Sequence, residues 1–138
     1  MKSYWLFKTE PSTYSMDDLV RDRKTAWSGI RNYQARNFLR EVTPDDEILI
    51  YHTGDEKRVV GHARALGSAY PESTPDGADW VQVEIQAKGP LPRPVPLQQM
   101  KTDPALTDLL LFKNGRLSVI PLSKEQFHAV LALAEISI

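Results

Sequence analysis

Short runs rich in β-branched and aromatic residues, separated by turn-forming residues, constrain the fold of this chain more than any other feature. Such runs predict β-strands. Five of them fit the pattern, and they cover residues 4–9, 47–53, 59–69, 80–87 and 116–120. The polar turn 54–57 between the second and third runs predicts a hairpin. A further polar segment, 71–79, predicts an exposed loop.

Four segments between these runs carry helix signals. Ser15 and Asp18 have capping-box spacing for a short helix through residue 21. Apolar spacing after residue 32 predicts a helix to about residue 41, and a proline in the first position predicts another over 104–110. A second capping-box pattern opens a helix over 124–134.

Four prolines fall within residues 89–96, which predicts an extended crossing segment and excludes both a helix and a paired inner strand. We therefore expect an α+β fold: one sheet of five to six strands, curled toward a barrel, with helices packed outside it. The length of 138 residues predicts one domain, spanning 1–138.

Composition excludes several functional classes. The chain has no cysteine, which rules out disulfides, thiolate metal sites and cysteine nucleophiles. Its three histidines are scattered, and it contains neither a glycine-rich phosphate loop nor a serine or zinc hydrolase motif. No apolar run approaches membrane-spanning length. We expect no cofactor, no metal, no membrane partner, a cytoplasmic location and a monomer.

Charge is distributed unevenly along the chain. Residues 1–40 carry eight basic against four acidic side chains, whereas residues 41–138 carry nine against fourteen. If the basic side chains gather in space, one side of the fold attracts anionic partners.

The segment 27–37 combines aromatic, arginine and asparagine side chains around a glycine turn. On a helix, Tyr33, Arg36, Asn37 and Arg40 share the side opposite the apolar residues. Such a side often faces only solvent, which is the simplest interpretation. Arginine, asparagine and aromatic side chains are nevertheless the types that read base edges and stack on bases, so a polar ligand site is the alternative.

Three further polar residues deserve a functional interpretation. Pro11 extends the backbone at Glu10, so Lys8 and Glu10 project on the same side of the first strand, either toward a ligand or as an ordinary ion pair. His52 ends another strand and is either a ligand donor or a satisfied polar group.

Four blocks, at residues 4–11, 27–37, 51–52 and 117–121, resemble in order the signature blocks of the EVE domain family. The match spans nearly the whole chain. It departs from the family pattern at Ser28, where an acid is common, at Ile30, where valine is common, and at Ile120, where glutamine is common.

The resemblance implies a PUA-like fold related to the YTH readers of methylated adenine in RNA. It implies a non-enzymatic pocket that accepts a modified base in DNA or RNA, such as 5-methylcytosine or 5-hydroxymethylcytosine. Trp27 would form an aromatic wall, with Lys8, Thr9 and Glu10 on the floor and His52 and Ser118 nearby. The residues that would shape the pocket and hold the nucleic-acid backbone are Arg31, Asn32, Tyr33, Arg36 and Asn37.

Two other functional classes stay open. A metal-independent hydrolase acting on RNA or a modified nucleoside could use Lys8, Glu10 and His52 as acid and base. A protein-interaction module could use the proline segment 90–96.

Overall fold

The computed structural model describes residues 2–135 and confirms an α+β fold built on one curled, unclosed sheet. The sheet has seven strands, more than the five to six predicted: β1 Tyr4–Thr9, β2 Lys24–Trp27, β3 Glu47–His52, β4 Arg58–Ala65, β5 Tyr70–Pro71, β6 Val81–Pro96 and β7 Val119–Leu122. Their order is β2-β6-β4-β3-β1-β7, and β5 pairs with β6. The helices are α1 Met16–Asp22, α2 Tyr33–Leu39, α3 Leu97–Lys101, α4 Leu110–Lys113 and α5 Lys124–Leu133, with a 3₁₀ helix at Pro104–Leu106.

The core surrounds the parallel pair β1 and β3. Consecutive residues are buried in both strands, from Trp5 to Phe7 and from Ile48 to His52. Continuous burial is typical of parallel strands that are covered on both faces. Burial on both faces holds β1 and β3 in place. The chain leaves the core at the end of β1, where residues 8–10 lie.

Side-chain caps start α1, α2 and α5, and two of these caps were predicted. The capping boxes at Ser15 and Ser123 are both formed. Asn32 caps α2, where its Oδ1 accepts a hydrogen bond from the amide of Ala35 at 2.9 Å. The helix predicted over 104–110 is instead a 3₁₀ turn followed by the separate α4, and α3 was not predicted.

The proline segment is extended, as predicted, but it also pairs with one neighbouring strand, which was not predicted. Its residues form the second half of β6, where Val95 lies opposite Val59 and Pro90 lies opposite Gly61 of β4. Prolines at every second position place their nitrogens, which lack a hydrogen, on one side of the strand. Over this half, β4 is the sheet neighbour within residues 2–135, and residues 91–94 have no partner in it because the register shifts between the pairs Val59–Val95 and Gly61–Pro90. Pro92 and Pro94 therefore lie in an irregular stretch, where the missing amide hydrogen costs no ladder bond.

Strand limits also differ from the predictions. β4 ends at Ala65 and not at residue 69, and β7 begins at Val119, three residues later than predicted. The four-residue β2 was missed. It pairs with β6, and its last residue, Trp27, lies opposite Val83. Within the described part of the chain, no helix is long and apolar enough to cross a membrane.

Candidate functional site

A cavity of about 550 Å³ lies where β1 and β2 end. Five of the eleven predicted site residues line it, namely Lys8, Thr9, Glu10, Trp27 and Ser118. Two sheet contacts bring them together: the amide of Lys8 donates to the carbonyl of Ser118 at 2.9 Å, and β2 positions Trp27. Seven further lining residues are Thr13, Tyr14, Thr25, Ala26, Ser28, Gly29 and Ile30.

Trp27 forms a fixed aromatic wall of the cavity. It is 7% exposed, and its ring centroid lies 5.6 Å from that of Phe7 in the core. Tyr14 packs edge-on against Trp27 at 6.1 Å and also lines the cavity. Burial raises the pKa of Tyr14, and the hydrogen bond that its hydroxyl donates to Asp22 adds to the shift. Tyr14 therefore presents a neutral phenol beside the indole.

The opposite side of the cavity is polar. The Nζ of Lys8 donates to the carbonyl of Gly115 at 3.2 Å, and burial lowers the pKa of Lys8. The hydroxyl of Thr9 donates to the carbonyl of Tyr14 at 2.7 Å. A cavity with an aromatic wall and a polar floor suits a flat, hydrogen-bonding ligand.

Glu10 is held at the rim by its neighbours. Its Oε1 accepts from the amide and hydroxyl of Ser12 at 3.3 and 3.1 Å, and its Oε2 accepts from the hydroxyl of Thr53 at 3.4 Å. Gly54 has a φ of +74°, and a Cβ at that position would lie 2.9 Å from the Glu10 Oε2. Glycine there therefore both permits the turn and leaves room for the carboxylate.

Glu72 organises the rim on the other side, and the sequence analysis missed it. Its Oε1 accepts from the amide of Gly29 at 3.1 Å, and its Oε2 accepts from an Nη atom of Arg31 at 2.7 Å. The hydrogen bond from Arg31 lowers the pKa of Glu72, so the carboxylate stays ionised. Glu72 lies 41 residues from Arg31 in the predicted exposed loop, and no local pattern links the two.

Arg31, Tyr33 and Arg36 form a separate surface patch with Trp80. The rings of Tyr33 and Trp80 stack with centroids 5.1 Å apart and planes 18° apart. The Arg36 guanidinium lies 4.9 Å from the Tyr33 centroid, and that of Arg31 lies 5.3 Å from the Trp80 centroid. Tyr33 is 66% exposed. Arg31, Tyr33 and Arg36 do not line the cavity, but they come soon after its wall residues 27–30 in the chain.

Three predicted residues make internal hydrogen bonds outside the cavity. Asn32 caps α2, and the Oδ1 of Asn37 accepts from Arg36 at 3.2 and 3.3 Å. His52 is buried, with its Nε2 accepting from the amide of Met16 at 3.0 Å and its Nδ1 2.9 Å from the Oε1 of Glu56. The trio of Lys8, Glu10 and His52 is thus not gathered in the cavity. A ligand-binding role for Asn32, Asn37 and His52 stays a prediction.

Comparison with known protein families identifies the family of this chain. The sequence model described as the EVE domain matches residues 3–133. The chain belongs to the EVE domain family. Thymocyte nuclear protein 1 from the mouse, Mus musculus, is 33% identical over 169 residues, which cover 98% of this EVE domain chain and 75% of the mouse protein.

Solved structures show the same fold. A Leishmania major protein superposes on this EVE domain with a TM-score of 0.92 at 30% identity, covering 98% of this chain and 96% of that one. Human THYN1, solved in complex with DNA that contains 5-methylcytosine, has a TM-score of 0.88 at 32% identity, with 99% and 100% coverage. An ASCH protein from Zymomonas mobilis, at 16% identity and a TM-score of 0.57 over 94% of both chains, shares the fold alone.

The described residues contain no group of three or more histidine, aspartate or glutamate side chains that could hold a metal ion. The curated mammalian relatives carry the word nuclear in their names. The cytoplasmic location expected for this EVE domain stays a prediction.

Proposed function

We propose that this EVE domain binds DNA by taking one modified cytosine into the cavity beside Trp27, without chemical turnover. One observation carries the proposal: two blocks far apart in the sequence, residues 8–10 and 27–30, converge on a single cavity with an aromatic wall and a polar floor.

The size and chemistry of the cavity fit a base that has left its stack. Ligand pockets span roughly 300–1,000 Å³, and the 550 Å³ of this cavity lies within that range. Extruding a base costs a few kcal/mol, and stacking on an aromatic side chain returns about 1–3 kcal/mol. Burying the extra methyl group of a methylated base adds about 0.8 kcal/mol, roughly a fourfold preference.

The human relative supports the choice of ligand. That protein was solved with DNA containing 5-methylcytosine, and its chain superposes on this one over nearly its whole length. Support for a hydrolase is weaker. His52, which the enzyme alternative requires, has both ring nitrogens within hydrogen-bond distance of Met16 or Glu56 and lies outside the cavity.

A titration with matched oligonucleotides tests the proposal. Short DNA strands and duplexes, identical except for cytosine, 5-methylcytosine or 5-hydroxymethylcytosine at one position, are titrated at fixed salt, with RNA of the same sequence as a further arm. We expect one modified DNA to bind at least about fourfold more tightly than the unmodified strand. Mass spectrometry of the recovered oligonucleotides should show no product.

Two variants locate the bound base. Lys8→Met keeps the aliphatic length but removes the donor at the cavity floor, so it should weaken binding by about tenfold. Lys124→Met, at an exposed lysine at the start of α5, makes the same change away from the cavity and should bind like the native chain. Equal affinity for all oligonucleotides, or product formation, would overturn the proposal.

A further inference from the structure

We propose that Glu72 is a positioning residue that sets the selectivity of the cavity by holding the wall formed by residues 28–30. The inference rests on the proposed function and adds to it a residue that lies outside the cavity, on a loop between two strands.

The wall needs an external support because of its backbone. Gly29 has a φ of +80°, a conformation that favours glycine, while a Cβ there would meet no atom within 4 Å. Glycine is therefore required by the turn and not by crowding. A glycine turn is intrinsically mobile, and a hydrogen bond to its amide removes that freedom. The Oε1 of Glu72 supplies this bond at 3.1 Å.

Arg31 ties the same carboxylate to the next part of the wall. One Nη atom of Arg31 donates to the carbonyl of Ile30 at 2.9 Å and approaches the Glu72 Oε1 at 3.3 Å, while the other donates to the Oε2 at 2.7 Å. The side chain of Glu72 is only 14% exposed. Because Ile30 is itself buried and lines the cavity, the Glu72–Arg31 pair holds the wall at its centre, Gly29, and at its end, Ile30.

This arrangement assigns different roles to two arginines of the segment 27–37. Arg31 already has a carboxylate and a backbone carbonyl as partners, so its guanidinium serves the wall. Among the described residues, Arg36 makes hydrogen bonds only to the carbonyl of Asp79, at 3.4 Å, and to the side chain of Asn37. Its guanidinium also lies over the exposed ring of Tyr33. Arg36 can therefore exchange these weak contacts for a phosphate, whereas Arg31 cannot do so without releasing the wall.

Three variants in the loop test the role of Glu72. Glu72→Met removes both acceptors, and Glu72→Gln keeps one acceptor for the amide of Gly29. Asp76→Asn removes the same charge from a residue whose hydrogen bonds, among residues 2–135, go to Thr74 and Ala78 of its own loop. The readouts are the ratio of Kd values for unmodified and modified DNA, the salt dependence of Kd, and the hydrogen exchange rate of the Gly29 amide.

We expect Glu72→Met to reduce the Kd ratio to about one and to accelerate exchange at Gly29 by at least about tenfold. The salt dependence of Kd should not decrease, because Arg36 is unchanged and Arg31 is released from its carboxylate partner. Glu72→Gln should fall between Glu72→Met and the native chain, and Asp76→Asn should match the native chain. An unchanged ratio in Glu72→Met overturns the inference, as does an equal loss in Asp76→Asn.

The exchange measurement separates this inference from the proposed function. If the native chain shows no preference among oligonucleotides, the proposed function fails, and the selectivity role of Glu72 fails with it. If the native chain selects a modified base but Gly29 exchanges at the same rate in Glu72→Met, the proposed function stands and the role of Glu72 is refuted.

Discussion

Replacing Asp46 by asparagine should destabilise this domain far more than the same change at the neighbouring Asp45. Asp46 is fully buried, and its carboxylate accepts four hydrogen bonds, each of 2.9 Å. The donors are the amide of Ser3, the indole Nε1 of Trp5, and the amide and hydroxyl of Thr43. These bonds join the start of β1 to the turn that precedes β3.

The magnitude follows from the geometry. Each carboxylate oxygen of Asp46 accepts two of the four bonds, and asparagine replaces one oxygen by an NH₂ group. At the Oδ1 position this group faces the Ser3 amide and the Thr43 hydroxyl, which can turn to accept, so one bond is lost and the other three are made to a neutral amide. A hydrogen bond to a charged group contributes about 1.5–3 kcal/mol and one between neutral groups about 0.5–1.5 kcal/mol, so losing one bond and weakening three costs about 3–6 kcal/mol. Domains of this kind have unfolding free energies of about 5–15 kcal/mol, so Asp46→Asn removes a large share.

Urea unfolding followed by far-UV circular dichroism measures both variants. Asp45 is 71% exposed and pairs with Arg64 at the surface, so Asp45→Asn should change the unfolding free energy by less than about 1 kcal/mol. Its φ of +71° is one that asparagine tolerates. If the two variants differ by less than about 1 kcal/mol, the reasoning about the buried carboxylate is refuted.

Three further predictions concern DNA binding, packing and pH. Arg36→Ala should reduce the slope of log Kd against log salt by about one, because one phosphate contact is lost. Gly61→Ala should lower the unfolding free energy by about 1–3 kcal/mol, since the new Cβ would lie 2.6 Å from both Cγ and Cε of the buried Met16. Burial lowers the pKa of His62, although the nearby Glu47 opposes this shift. As the pH falls, the unfolded chain therefore binds this proton before the folded chain does, and the unfolding free energy decreases below about pH 6.5. His62→Gln should flatten that fall.

Each of these predictions has a result that contradicts it. An unchanged salt slope would remove Arg36 from the backbone contact. A Gly61→Ala variant as stable as the native chain would show that Met16 moves at no cost in unfolding free energy. If Gly61→Ala does destabilise the domain, adding Met16→Ala should restore part of the lost unfolding free energy. A His62→Gln variant with the native pH dependence between pH 7 and 5, measured by urea unfolding, would show that other groups control acid stability.

Local patterns predicted much of the fold. The limits of β1 and the caps at Ser15 and Ser123 were predictable because each depends on residues within a few positions. The proline half of β6 was not predicted, since the exclusion of proline from a ladder applies only to the side of a strand that pairs. The sequence does not state which side of β6 stays unpaired.

Part of the candidate site was predictable from the sequence, and part of it was not. Residues 8–10 and Trp27 could be assigned to one site through the family resemblance, and they line one cavity. Glu72 could not be found, because it comes from a segment whose polar composition predicts only an exposed loop. Trp80 could not be found either, because it opens a predicted strand and nothing local links it to the segment 27–37. Their contacts with Gly29, Arg31 and Tyr33 join residues more than forty positions apart. Tertiary packing, not local pattern, determines such contacts.

The most direct test of the central claim uses the three tryptophan indole N–H signals in a two-dimensional NMR titration. Trp27 lines the cavity, Trp80 lies beneath the exposed Tyr33, and Trp5 is buried against Asp46. Three variants, each with one tryptophan replaced by phenylalanine, assign the three signals.

With 5-methylcytosine DNA, we predict a large shift of the Trp27 signal, and a smaller shift at the same subsaturating concentration of unmodified DNA. The Trp80 signal should respond to both DNAs, and the Trp5 signal should stay in place. A Trp27 signal that moves equally with both DNAs, or does not move while Trp80 does, would contradict recognition of a modified base in this cavity.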